Sequence, residues 1–204
     1  MGEREWDTRS ERKRRAILDA AREIFLNQGY AGAGMEAVAR SAAVSTATLY
    51  AHFQSKADLF EAVVEEAVAG LTAELRSTRD DGDARTRLTL FAVALGRFYC
   101  EPLSRSLFRL VTAERRRFGK LADRFQARSR RDIGGVALAL IQELAKDGLL
   151  NIDDPASAAG QLLGMLEHPT LTMGLMAGDE TVPQRPVEAI CQEAVETFLA
   201  RYAA

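Results

Sequence analysis

Small and hydroxyl-bearing side chains between residues 45 and 52 are the part of this sequence best suited to contact a nucleic acid. The run begins with Ser45, Thr46, Ala47 and Thr48. The DNA major groove is about 12 Å wide, so it admits a helix whose first turn is not bulky, and hydroxyl and methyl groups can contact base edges there. Further along, Tyr50 and His52 can donate hydrogen bonds to phosphate oxygens. These residue types favour a helix that reads bases with its first turn.

Two short helices and a tight turn must position these side chains. The pattern predicts one helix over Met35–Ser41, a turn at residues 42–44, and a second helix that Ser45 caps and that continues to Phe53. Lys56 begins the next helix, where its ammonium group and the backbone N–H groups would favour an anion such as phosphate. A helical hairpin with a polar end and no DNA contact has the same pattern, so spacing alone leaves both interpretations open.

Apolar residues recur at three- and four-residue spacing along nearly the whole chain. The first stripe consists of Ile17, Ala20, Ala21, Ile24 and Phe25. Its helix should end near Gln28, because Gly29 offers a left-handed cap. Strand-like alternation is absent from the sequence. We therefore predict an all-α protein of about nine helices, with a three-helix helix-turn-helix module at residues 11–71 (motif about 34–53) and a larger helical domain at residues 72–204.

The charge distribution limits the kind of DNA contact that the protein can make. A net charge of −2 argues against a protein that coats nucleic acid without specificity. Positive charge is instead local, in a cluster of Arg9, Arg12, Lys13, Arg14 and Arg15. A solvated helix end explains this cluster equally well, because Glu11 lies within it.

Other features argue against a membrane, a secreted or a catalytic protein. No run approaches the ~20 apolar residues that span a bilayer, and residues 1–7 lack the apolar core of a secretory signal. Cys100 and Cys191 lie far apart, so we expect reduced thiols and a cytoplasmic location. His52 and His168 have neither metal-ligand nor triad spacing, so we expect no cofactor, no metal and no enzyme activity. A helical adaptor that does not bind DNA is the more serious alternative.

The hairpin and its surroundings closely resemble the DNA-binding module of the TetR family. The resemblance lies in Gly29-Tyr30, Met35, Val38-Ala39, Ala42, Val44-Ser45, Thr48-Leu49-Tyr50, His52-Phe53, Ser55-Lys56 and Asp58-Leu59. It covers about the first third of the chain, and its core, V-S-x-x-T-L-Y-x-H-F-x-S-K, is highly specific. The resemblance implies that the third helix enters the major groove. It assigns base contacts to Thr46, Ala47 and Thr48, and phosphate contacts to Tyr50, His52 and Lys56.

Two positions depart from the family pattern. The family usually has Thr or Ser at the cap of the second helix, where this chain has Ala33-Gly34. A hydroxyl contact to phosphate is therefore missing there. The turn usually has Gly where this chain has Ala43, so the backbone at Ala43 must tolerate a Cβ atom. Both departures predict slightly weaker anchoring to phosphate.

The remainder of the chain resembles, more loosely, the efflux-type subgroup of the same family, through residues 107–114 and 147–167. In that subgroup the middle helices enclose a ligand, and the last two helices form a four-helix bundle with a partner. The mapping places a dimer interface on residues 154–177 and 186–203. Its side chains would be Leu162, Leu166, Ala194, Phe198 and Leu199. Burial of this stripe within one subunit is the alternative.

Aromatic and methionine side chains supply candidates for the ligand cavity, because both suit irregular apolar ligands. The candidates are Phe91, Phe98, Phe108, Phe125, Met165 and Met173. Plain core packing is the alternative for each. His168-Pro169 should either kink a helix or divide it in two.

Together these features predict a sequence-specific transcriptional regulator. Family habit favours a homodimeric repressor that binds a palindromic operator in double-stranded DNA and is released by a small apolar or amphipathic inducer. Activation of transcription is the alternative to repression.

Overall fold

The computed structural model describes residues 9–77, 82–113, 115, 119–178 and 180–204. The sequence interpretation of residues 1–7, which concerned a secretory signal, lies outside these ranges. Within them the chain forms eleven α-helical segments. Two π-helical turns, Arg130–Gly134 and His168–Thr172, each join two segments, so the described residues form nine continuous helices. Their only β-structure is an isolated bridge between Leu150 and Ala203. The predicted all-α fold of about nine helices is confirmed.

The chain divides into two compact units, Met1–Glu66 (unit 1) and Ala67–Ala204 (unit 2). The helices of unit 1 are α1 (Arg9–Gly32), α2 (Met35–Ser41), α3 (Thr46–His52) and the first part of α4 (Lys56–Ser77). The boundary that we predicted after residue 71 also falls inside α4.

An aromatic cluster forms the centre of unit 1. The ring of Phe60 lies 5.2 Å from that of Phe25 and 5.3 Å from that of Tyr30, both in edge-to-face contact. Leu49 of α3 and Val38 of α2 are buried in the same unit. The predicted stripe of α1 is buried, which explains why a sequence with so many charges in its first two turns still folds as a helix.

Two further features concern the shape and the packing of α1. Its helical conformation is interrupted by a kink at Gly29, with φ 68 and ψ 174, and continues to Gly32. The positive φ fits the predicted glycine, but the helix does not end at Gln28 in a left-handed cap, because ψ lies outside the left-handed helical region. The guanidinium group of Arg22 donates to the Glu66 carboxylate at 2.7 Å and so ties α1 to α4. The kink at Gly29 and the bond between Arg22 and Glu66 both lie within unit 1.

Unit 2 contains the remaining helices. They are α5 (Ala84–Cys100), α6 (Pro102–Ala113), α7 (Gly119–Ser129), α8 (Gly135–Lys146), α9 (Pro155–Glu167), α10 (Met173–Ala177) and α11 (Val187–Tyr202). Asp154 caps α9 by accepting hydrogen bonds from the N–H groups of Ala156 and Ser157, and Pro155 takes the first helical position, as predicted. None of the described helices is both long and apolar enough to cross a bilayer.

The His168-Pro169 pair neither ends the helix nor divides it. Pro169 lacks the N–H group that an α-helix needs, and the backbone passes through a π-helical turn before α10 begins. The hydroxyl group of Thr170 donates to the carbonyl of Leu166 at 2.6 Å. The buried guanidinium group of Arg105 donates to the Thr170 carbonyl at 2.8 Å and also to the Thr181 carbonyl. Side chains therefore satisfy carbonyl groups around the irregular turn.

The five side chains predicted for the dimer interface lie in the core of unit 2. They are Leu162 and Leu166, both 0% exposed, Phe198 at 1%, Ala194 at 7% and Leu199 at 8%. Within the single chain this stripe is already buried where α11 packs against α5 and α9, and a contact of the stripe with a partner stays a prediction. The hydrophobic effect favours burial of an apolar stripe against any hydrophobic surface that the helix can reach. Here α5 and α9 of the same chain provide that surface.

Candidate nucleic-acid interface

The first turn of α3 is held by its cap. The hydroxyl oxygen of Ser45 accepts a hydrogen bond from the Thr48 N–H at 3.1 Å, and the two hydroxyl oxygens lie 2.9 Å apart. Ser45 thus acts as the predicted N-cap. Thr48, predicted to face bases, is half-buried, and its hydroxyl group is bonded to this cap.

The outer face of α3 presents a small, exposed surface. Thr46 and Ala47 are exposed, and Tyr50 retains 50% of its accessible area. Ala51, one turn after Ala47, is also exposed on this face. Ala51 was not among the predicted DNA contacts, although its spacing of four residues from Ala47 places both on the same helix face. The opposite face is buried through Leu49, so α3 can offer only this outer face to a groove.

The two departures from the family pattern have visible consequences in the backbone. Gly34 caps α2 with an extended conformation and makes no side-chain hydrogen bond. Ala43 in the turn adopts φ 52, a left-handed conformation that costs a residue with a Cβ atom about 1–2 kcal/mol. The turn between α2 and α3 is therefore built as the family pattern requires, with strain at Ala43.

Lys56 is engaged with the protein itself. Its ammonium nitrogen lies 2.7 Å from the Tyr30 carbonyl oxygen, 2.9 Å from that of Ala33 and 3.3 Å from that of Ala31. It also lies 4.8 Å from the centre of the Tyr30 ring. An ammonium group has three hydrogens to donate, and three acceptors surround it here. A phosphate contact by Lys56 stays a prediction, and the phosphate would compete with these carbonyl groups.

The end of α3 carries His52 and Phe53. His52 is half-buried, and its ring centre lies 6.3 Å from that of Phe53. Arg14 of α1 also contacts Phe53, and its guanidinium carbon lies 5.5 Å from the centre of the Phe53 ring. Arg14, His52 and Tyr50 thus place a cationic, an imidazole and a hydroxyphenyl group on or next to α3, and such groups are suited to polar contacts with phosphates.

The six predicted ligand contacts fall into two groups within unit 2. The ring centres of Phe108 and Phe125 are 5.1 Å apart, and Phe108 also contacts Tyr99 at 6.1 Å. Phe91 and Phe98 are buried in the core.

Met165 and Met173 belong elsewhere, to a groove between the α9–α10 segment and α11. Its larger part has a volume of about 780 Å³, and its lining includes both methionines, Ile190 and Thr197. A smaller part of about 380 Å³ continues past Gly164 and shares Met165 and Thr197 with the larger part. We refer to this feature as the α9–α11 groove.

Tyr99, whose ring contacts that of Phe108, forms a hydrogen bond with Glu167, and neither residue was among the predicted site residues. The Tyr99 hydroxyl donates to the Glu167 carboxylate at 3.0 Å. Burial, followed by the negative charge of Glu167, raises the pKa of Tyr99 well above its ordinary value, so the phenol stays protonated. Sequence spacing could not identify this pair, because 68 positions separate the two residues.

A three-helix bundle with a tight α2–α3 turn and a small, exposed α3 face defines a helix-turn-helix DNA-binding module. Residues 17–63 match the profile of the bacterial regulatory proteins of the tetR family. Residues 86–204 match the C-terminal domain of AefR-like transcriptional repressors. The chain therefore belongs to the TetR family of DNA-binding transcriptional regulators and is not an enzyme.

Similar proteins agree with this assignment. The transcriptional activator FasR of Mycolicibacterium smegmatis is 42% identical over 73 residues, which cover 34% of this chain and 33% of FasR. The chain thus matches about a third of that relative's length. A TetR-family regulator from Mesorhizobium loti has 28% identity and a TM-score of 0.85, with coverage of 97% of this chain and 100% of the other. The flavonoid-responsive regulator FrrA has 26% identity and a TM-score of 0.66, with coverage of 94% and 97%.

Proposed function

We propose that this regulator is a cytoplasmic homodimeric repressor that binds a palindromic operator and leaves it when an amphipathic ligand binds unit 2. The exposed face of α3 is the observation on which DNA reading depends. The match of residues 86–204 to a repressor C-terminal domain favours repression. The match to the activator FasR is confined to 34% of this chain and therefore weighs less.

The α9–α11 groove supports dimerisation. The small residues Ala177 and Ala194 line its larger part, and Gly164 in its smaller part is exposed, with no atom within 4 Å of an added Cβ. A helix of a second chain could approach closely there. Met176 and Val182 are 69% and 80% exposed in the same part of unit 2, and exposed large apolar groups are typical of protein interfaces. In this proposal the groove is the dimer interface, and its lining includes Met165 and Met173 together with Ala194 and Phe198 of the predicted stripe.

A two-fold dimer explains why the operator should be palindromic. The two α3 helices would enter successive major grooves on one face of the duplex, with centres about 34–36 Å apart. A ligand that favours a state with another spacing would lower operator affinity, and coupling of about 1–3 kcal/mol is typical of such effects. The ligand needs only a higher affinity for that second state.

The proposed ligand site lies at three aromatic side chains of unit 2 that contact one another in a row. Tyr99, Phe108 and Phe125 provide ring surfaces from α5, α6 and α7, and Glu167 adds a carboxylate from the end of α9. Ring surfaces beside a hydrogen-bonded polar pair suit a flat compound with hydroxyl groups. The flavonoid response named for FrrA, with 26% identity, points to the same chemical class.

Light scattering of two matched variants tests the dimer. Thr197→Glu places a charge in the α9–α11 groove, and Gln192→Glu adds the same charge to an exposed position of α11 that does not line this groove. We expect a dimer mass at micromolar concentration for the wild type and Gln192→Glu, and a monomer mass for Thr197→Glu. A monomeric wild type would reject the dimer, and a dimeric Thr197→Glu would reject this interface.

Operator affinity with and without ligand tests the regulatory half of the proposal. The probe is a duplex selected by the wild-type protein from a random pool, and the ligands are a flavonoid panel and a fatty-acid panel. We expect flavonoids to weaken binding by about 5–150-fold, the range of typical allosteric coupling. Tyr99→Phe should reduce this response. An operator affinity that neither panel changes would contradict the ligand-release proposal.

A further inference from the structure

The first two turns of α1 carry a concentration of positive charge that the helix-turn-helix itself does not require. Residues 9–15 contain five cationic side chains and one carboxylate, in a chain whose net charge is −2. Positive charge near a helix N-terminus opposes the helix dipole and disfavours the helix. The cluster is therefore not explained by the stability of α1.

The orientation of two of these cations is set by the helix. Arg14 precedes Leu18, Ala21 and Phe25 on the face that is buried further along α1. Lys13 precedes Ile17 and Ile24 on the neighbouring stripe of the same face. The inner face of α1, apolar from Ile17 onward, is thus cationic where the helix begins.

Arg14 lies beside the end of the recognition helix. The guanidinium carbon of Arg14 is 5.5 Å from the centre of the Phe53 ring, and Phe53 follows His52, the last residue of α3. A guanidinium group over a ring face is held in place by cation–π attraction while its N–H groups remain available. Arg14 is exposed, and Lys13 is half-buried.

From this arrangement we infer that Arg14 and Lys13 extend the DNA-binding surface and bind the phosphate backbone that flanks the major groove occupied by α3. The inference rests on the DNA-binding function of α3. DNA is the occupant that fits, because the surface is cationic, Arg14 contacts the residue that directly follows the recognition helix, and a duplex carries one negative charge per about 1.7 Å of its axis. The contact adds affinity without base specificity, since phosphates are the same in every sequence.

Salt dependence of binding measures this contact directly. Each phosphate contact contributes about 0.9 to the slope of log K against log salt, so a dimer that loses two contacts should lose about 1.8. We expect this loss for Arg14→Gln and a similar loss for Lys13→Gln, on both the duplex selected from a random pool and an unrelated duplex. Arg14→Lys should retain the slope, because it retains the charge.

Arg12→Gln is the matched control. It removes the same charge from the same turn, but Arg12 lies about 160° around the helix from Arg14, at 3.6 residues per turn. The slope of Arg12→Gln should equal that of the wild type. A wild-type slope for both Arg14→Gln and Lys13→Gln would overturn the inference, as would an equal loss in Arg12→Gln, which would indicate a general charge effect.

Folding and function are separated by two further observations. Helix content and urea unfolding identify a variant that loses DNA binding because it unfolds. Lys13→Gln leaves the contact between Arg14 and Phe53 in place, so a reduced slope in this variant cannot result from loss of that contact. A wild-type protein that binds no duplex at all would overturn the DNA-binding function and this inference together. A wild type that selects an operator, with variants of unchanged slope, would overturn this inference alone.

Discussion

Replacing Lys56 with Met should destabilise unit 1 rather than remove a DNA contact. The ammonium group donates to the carbonyls of Tyr30, Ala33 and Ala31 at 2.7, 2.9 and 3.3 Å. Hydrogen bonds that involve a charged group contribute about 1.5–3 kcal/mol each. The bond to Ala31 is exposed and the other two are only partly buried, so after a discount for solvent we expect a total loss of about 2–4 kcal/mol.

Urea unfolding followed by circular dichroism measures the loss, and amide hydrogen exchange in α1 and α4 locates it in unit 1. Met is used because it keeps a long apolar side chain. Lys146→Met, at the end of α8 in unit 2, is the control and should leave exchange in unit 1 unchanged. The salt slope of folded Lys56→Met should equal that of the wild type. Wild-type stability together with a slope reduced by about 1.8 per dimer would refute this reasoning and assign the ammonium group to phosphate.

Three further predictions concern local packing. Ala43→Gly should raise the free energy of unfolding by about 0.5–1 kcal/mol, because it relieves the positive φ, whereas Ala42→Gly should lower it in the same urea assay. Gly96→Ala should destabilise unit 2 by about 1–3 kcal/mol, since its Cβ would lie 2.7 Å from the Cys191 sulfur; Gly70→Ala, with nothing within 4 Å, should not destabilise the fold. Burial raises the pKa of Cys191 to about 12. At neutral pH thiol reagents should therefore label Cys191 only as the protein unfolds. Rapid labelling of Cys191 in the folded protein would contradict this prediction.

The local features of the fold could be predicted from short stretches of sequence. Ser45 caps α3, Asp154 and Pro155 begin α9, and Gly29 interrupts α1. Each of these structures depends on hydrogen bonds or backbone angles within about four residues, so the necessary information lies in the immediate neighbours. The strain at Ala43 was predictable for the same reason, since the turn requires a left-handed residue whatever its side chain.

Contacts between residues far apart in the chain could not be predicted from the sequence. Lys56 reaches carbonyl groups 23 to 26 positions away, and Tyr99 bonds to Glu167 across 68 positions. Arg14 and Phe53 come together only when α1 packs against α3. Nothing in the residues near these side chains distinguishes a contact to the protein from a contact to DNA or ligand.

The stripe of α11 marks the limit of sequence reasoning. Its helical period determined by itself that Ala194, Phe198 and Leu199 would be buried, because apolar side chains at this spacing share one face and leave water together. Which surface covers them was decided only by the tertiary structure, where α5 and α9 of the same chain lie against α11. The hydrophobic effect has no direction and no partner preference, so a stripe fixes the fact of burial, and only the packing of the helices fixes what the stripe is buried against.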